Sequence, residues 1–219
     1  MKNLYFITLF SLLFNISIAD EDCSQSLSLE CSKKLETKIE EIKKHYIHEE
    51  YKNDLWTVHT ETFDKKNSKD WNIFASVNGK ITDGDRLRIR IIPRNIESCN
   101  MGNIITTFYT YSNVKNFSDI ENVLIPAYFN DRDIYVKILS SHKFLAGNMI
   151  FIDVTWNKLE DLKRFFSKKN EVSLKLMNSK HLNIDEYFDI QENLFSLEGL
   201  DRALDKAKYQ CIKIVNSRV

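Results

Sequence analysis

Three groups of side chains in this sequence have types and spacings that chemistry can use. The first is His45-Tyr46-Ile47-His48-Glu49-Glu50. On a helix, His45 and His48 would occupy neighbouring surface with Glu49 one turn from His45, a candidate metal-ligand set. It departs from HExxH, in which histidines at i and i+4 hold the metal and the Glu between them is the base, so a solvated helix end is the simpler reading. The second is Arg86, Arg88 and Arg90, alternating with Leu87, Ile89 and Ile91. Period two puts the arginines on one exposed strand face, where guanidinium groups can bind carboxylate or phosphate bidentately; a solubilising or edge-guarding face is the commoner use of such a pattern. The third is the cysteines: Cys23, Cys31, Cys99 and Cys211.

No other constellation stands out. His59, His142 and His181 are isolated in different segments, and the chain lacks GxSxG, GxxxxGK[ST] and GxGxxG. Trp71, Tyr109, Tyr111, Tyr128 and Tyr135 are able to line a binding face, although strands use such residues mainly for packing. No cofactor is implied. The 31 basic and 31 acidic side chains balance, which gives no basis for nucleic acid as a partner, since that would favour a clustered basic excess.

The cysteines become legible through the first residues. Lys2 precedes an apolar run from Leu4 to Phe14, and Ser17-Ile18-Ala19 supplies the small residues read by signal peptidase, which predicts a leader over 1–19 cleaved between Ala19 and Asp20. The run is shorter than the roughly 20 residues of a spanning helix, and no later segment is apolar enough, so no stable membrane span is expected after cleavage. An oxidising compartment lets thiols pair. Three pairings are open to four cysteines. The favoured one joins Cys23 to Cys31 across a short loop and Cys99 to Cys211, tying a strand end to the last helix. Zinc is disfavoured because no cysteine has a CxxC-like neighbour.

The elements that must position these residues follow from periodicity. An N-terminal helical segment over 20–54 contains an amphipathic helix over 33–52, with Leu35, Ile39, Ile42 and Tyr46 along one face. From Leu55 the period becomes two, opening a β-rich domain over 55–219. Strands are expected at 56–59, 71–77, 86–91, 104–111, 123–129, 134–139 and 149–155, with a type I′ turn at Asn78-Gly79. A helix capped by Asn157 then shows Leu159, Leu162, Phe165 and Phe166 on one side. A strand at 172–177 and a strand-like 194–197 precede a helix from near Gly199 with Leu200, Ala203, Leu204, Ala207 and Cys211 on its buried face. The fold class is α+β: a β-rich antiparallel sandwich or barrel-like core with an N-terminal amphipathic helix, one inserted helix and a C-terminal helix.

The layout from Trp56 onward, closing on Leu194-Phe195-Ser196-Leu197-Glu198-Gly199-Leu200-Asp201-Arg202-Ala203-Leu204, resembles the invasion-associated locus B family of exported bacterial proteins. The shared pattern is a leader, a β-rich domain, a short helix followed by a strand, and a final strand running into Gly, an apolar residue and an Ala-apolar pair. The resemblance implies a periplasmic or secreted, non-enzymatic protein, associated in the founding members with entry into host cells. The family's cysteines near the first strand and mid-domain have no counterpart between Cys31 and Cys99 or between Cys99 and Cys211, and no functional residue is carried over. The expected function is that of an exported, disulfide-stabilised accessory or binding protein of the periplasm or cell exterior, acting without catalysis on another protein or a cell-surface component. The alternative is an exported hydrolase of cell-wall or environmental polymer.

Overall fold

A computed structural model describes residues 47–53, 55–61, 71–82, 84–111, 116–130, 132–144 and 147–217. The leader, its cleavage point at Ala19–Asp20, and Cys23 and Cys31 lie outside the described residues, as does the predicted helix up to residue 46. Residues from Ile47 on are not helical. They form strand β1 (Ile47–Asn53), bonded along its length to β2 (Trp56–Glu61), so backbone ladder bonds override the helical pattern there and the sheet begins before residue 55.

The remaining strands are β3 (Asn72–Asn78), β4 (Arg86–Ile91), β5 (Met101–Thr110), β6 (Leu124–Phe129), β7 (Arg132–Phe144), β8 (Gly147–Lys158), β9 (Glu171–Leu176) and β10 (Glu192–Ser196). Helix α1 (Leu159–Phe166) follows β8, and α2 (Leu200–Asn216) ends the described chain. The ten strands form one antiparallel sheet in the order β1-β2-β3-β4-β5-β8-β7-β6-β9-β10. The sequence allowed two stacked sheets or a closed barrel; the ladder is instead a single open sheet. Its far end curls back, because Phe195 of β10 makes an isolated antiparallel bridge to Gly79 and Lys80 N–H donates to the Leu194 carbonyl at 2.9 Å.

Alternation along the strands sorts side chains onto two faces. The inner face carries Val58, Ala75, Leu87, Ile89, Ile104, Phe108, Ile138, Ile152, Leu174 and Phe195, all essentially inaccessible. Both described helices pack on it. Ala203, Leu204 and Ala207 of α2 join that core beside β2 and β3, and Phe166 of α1 meets Phe129 edge to face at 6.1 Å. Cys99, in a 3-10 turn at Ser98–Asn100 that leads into β5, is bonded to Cys211 of α2 with Cα atoms 5.6 Å apart. This is the expected tie between a strand end and the last helix.

The hairpin between β3 and β4 is longer than a type I′ turn. Its loop runs from Gly79 to Asp85, closed by Gly79 N–H to the Asp85 carbonyl at 2.8 Å, and the positive φ falls on Gly84 (98°). Gly79 is required for a different reason. A Cβ there would stand 2.5 Å from Asn193 Nδ2. Among the described residues no helix is long and apolar enough to cross a membrane.

Candidate functional site

The second face of the sheet holds the arginines. Antiparallel pairing sets Arg88 opposite Ser76 of β3 and Ile105 of β5, Arg90 opposite Phe74 and Asn103, and Arg86 opposite Asn78 and Thr107. Across β5 the same face continues to Phe151, opposite Thr107, and Asp153, opposite Ile105. On the other side β2 contributes His59, opposite Phe74, and Glu61. The alternation that puts Leu87, Ile89 and Ile91 inward therefore gathers the three arginines and their neighbours into one patch.

That patch is not solvated. Arg86 and Arg88 are 5% and 1% exposed, and Arg90 is half-buried, which corrects the expectation of an exposed arginine face. The reason is position. β4 is an interior strand, so the edge-guarding reading fails, and aromatic residues flank the guanidinium groups. The Arg88 guanidinium lies 5.4 Å from the centre of the Phe151 ring and that of Arg90 5.6 Å from Trp156. His59 stacks on Phe74 at 5.5 Å, and its Nε2 is 2.8 Å from Glu61 Oε1, both side chains being buried. The isolated histidine of the sequence thus has a carboxylate partner.

The electrostatics of the patch are unusual. Burial lowers the Arg88 pKa to about 10, partly countered by the charge of Glu61. Arg90 is also lowered by burial, with the Asp153 charge opposing that shift. Among the described residues neither arginine has a carboxylate within ion-pair distance. Ser76 Oγ, Arg88 Nε and Nη2, Arg90 Nε, Asn103 Oδ1, Thr107 Oγ1 and Asp153 Oδ1 are all buried with no hydrogen-bond partner among the described residues. Buried polar atoms are normally paired, and leaving one unpaired costs about 1–3 kcal/mol, so their concentration on one face calls for an explanation.

A separate polar cluster joins the β3–β4 loop to β10. The Asp85 carboxylate, 1% exposed, accepts from Tyr109 N–H at 2.6 Å and from Asn193 Nδ2 at 2.7 Å. Asn193 Oδ1 in turn accepts from Lys80 N–H at 3.0 Å, Ile81 N–H at 3.1 Å and Leu194 N–H at 2.8 Å. Burial raises the Asp85 pKa to about 7, against the lowering effect of the Asn193 and Tyr109 hydrogen bonds. A cleft of about 220 Å³ between the end of α1 and the start of α2 is lined by the buried Phe166, Leu197 and Leu200 and by the exposed charged side chains of Lys169, Asp201 and Arg202.

Among the sequence-derived candidates, the structure brings Arg86, Arg88 and Arg90 together and bonds Cys99 to Cys211. His48 and Glu49 fall in β1, away from helical spacing; His45 lies outside the described residues. Among the described residues no group of His, Cys, Asp and Glu is arranged to hold a metal ion. Sequence reasoning missed Glu61, Ser76, Asn103, Thr107 and Asp153. Asn103 and Thr107 carried a signal in hindsight, as polar residues at period two within β5. No family model matches the chain, and no curated protein or solved structure matches it significantly, so the resemblance to the invasion-associated locus B family rests on its quoted motifs alone.

Proposed function

We propose that the protein is an exported, disulfide-stabilised accessory protein that acts in the periplasm or outside the cell by binding another protein or a cell-surface component, without catalysis. Export is supported by the leader pattern and by the Cys99–Cys211 bridge, since such bridges persist in oxidising compartments. The observation that carries the binding reading is a platform on β6 and β7. Tyr135 stands opposite Pro126, between Leu124 and Tyr128 on the same face, and the three large side chains are 67%, 64% and 41% exposed for Tyr135, Leu124 and Tyr128. Asp133 and Lys175, each opposite Tyr128, give it a polar rim. An apolar and aromatic centre with a charged rim is how protein contact surfaces are built.

The test uses the chain from Asp20 as bait on the exported fraction, compared with a Tyr128→Ala/Tyr135→Ala double variant. Capture by the native surface that is lost in the variant, with both proteins equally folded by circular dichroism, is the expected result. Equal capture by the two would remove the platform from the reading. Turnover of a glycan or peptide panel by the native protein would replace it with the hydrolase alternative.

A further inference from the structure

We propose that Arg88 anchors a small carboxylate ligand on the second face of the sheet, with Ser76, Asn103 and Thr107 completing its hydrogen bonds. The Arg88 donors that lack a partner among the described residues are Nε and Nη2. These two N–H bonds run parallel along one edge of the guanidinium plane, the edge that meets both oxygens of a carboxylate side-on. Arg88 is 1% exposed, so the edge is not held in this state by bulk solvent. The guanidinium carbon lies over the Phe151 ring at 5.4 Å, a cation–π contact.

The surroundings narrow the ligand further. Ser76 is directly opposite Arg88 on β3, and Asn103 and Thr107 flank its β5 partner Ile105 on the same face. Ser76 Oγ and Thr107 Oγ1 can donate to an oxyanion, whereas Asn103 Oδ1 and Asp153 Oδ1 are buried acceptors that lack donors. A ligand that satisfies both sets carries a carboxylate and a hydroxyl or amino donor. Glu61 and Asp153, whose charges act on Arg88 and Arg90, oppose a phosphate dianion more strongly than a monocarboxylate. Burial favours a free small molecule over the acidic side chain of a protein partner. The site lies on β3, β4, β5 and β8 and shares no residue with the β6–β7 platform, so each proposal can fail while the other stands.

The experiment is a thermal-unfolding titration of the purified protein with sodium glycolate, acetate and phosphate against sodium chloride at matched ionic strength. Glycolate is expected to raise Tm most, by roughly 5–10 °C at a hundredfold excess over its Kd, with acetate next and phosphate indistinguishable from chloride. Arg88→Lys keeps the charge but removes the side-on edge and should abolish the response. Where R88K does not fold, Thr107→Val, which preserves volume and strand preference, decides: a response weakened several-fold supports the site, and an undiminished one overturns it. No carboxylate response above chloride, a dominant phosphate response, or full retention in R88K would each overturn it.

Discussion

At the scale of single residues, Asp85 gives the clearest linkage between pH and stability. Its pKa is about 7 in the folded protein against 3.8 in the unfolded chain, so between those values the folded state binds the proton that the unfolded state has released. Folding is therefore favoured at the acid end. The contribution is lost as pH rises from about 4 to 7, amounting to about 4 kcal/mol in all. Urea unfolding of Asp85→Asn should show the variant gaining on the native protein over that interval and holding a constant difference above pH 8; a difference independent of pH would refute the assignment. Gly79→Ala tests the same latch sterically. Its new Cβ would meet Asn193, whose Oδ1 is held by three backbone N–H groups and cannot retreat, so a loss of about 1–3 kcal/mol is expected in the same unfolding assay. None of this was readable in advance, because Asp85 and Asn193 are 108 residues apart in sequence and polar residues in turns are ordinary.

At the scale of elements, local pattern was a good guide where one face alone decides. Arg86–Ile91 was expected as a strand with these boundaries, and the spacing of Leu200, Ala203, Leu204, Ala207 and Cys211 gave the closing helix its buried face. Pattern failed where a ladder competes with a cap. Asn157 was expected to start α1, but it is paired with Gly102 in β8, and the helix begins after Lys158 with no side-chain cap. Pattern also failed for β4 because alternation shows which residues share a face and not whether that face is covered. The tie between the turn before β5 and α2 is expected to contribute substantially to stability. Its sequence separation of 112 residues corresponds to about 4–5 kcal/mol of unfolded-chain entropy, so paired Cys99→Ala/Cys211→Ala substitution should lower Tm by roughly 10 °C or more in calorimetry. A fall of only a degree or two would mean that packing of Ala203, Leu204 and Ala207 holds α2 without the bond.

At the scale of the whole molecule, strand order is the feature that sequence concealed. β5 pairs with β8, and β6 lies beyond β7 against β9, so chain order departs from spatial order after the fifth strand. Short hairpins are encoded by turns, but the β5–β8 and β6–β9 pairings are chosen by the total burial of the inner face, which no local window contains. The cysteine bond shares this non-local character, and it has a temporal side. Synthesis runs from the N-terminus, so Cys99 is made long before Cys211, when Cys23 and Cys31 are the only other cysteines of this sequence already made. Where export exposes a growing chain to oxidant before Cys23 and Cys31 have joined, Cys99 meets them ahead of Cys211. Refolding of the reduced, unfolded protein in a glutathione buffer should not show this order effect, whereas vectorial synthesis into an oxidising lumen should trap mixed species that a disulfide isomerase resolves, and Cys23→Ser/Cys31→Ser should eliminate them on non-reducing gels. The Cys99–Cys211 bond can therefore close only after α2 has been made, which makes a chain broken off before Cys211 chemically distinguishable from one that carries α2.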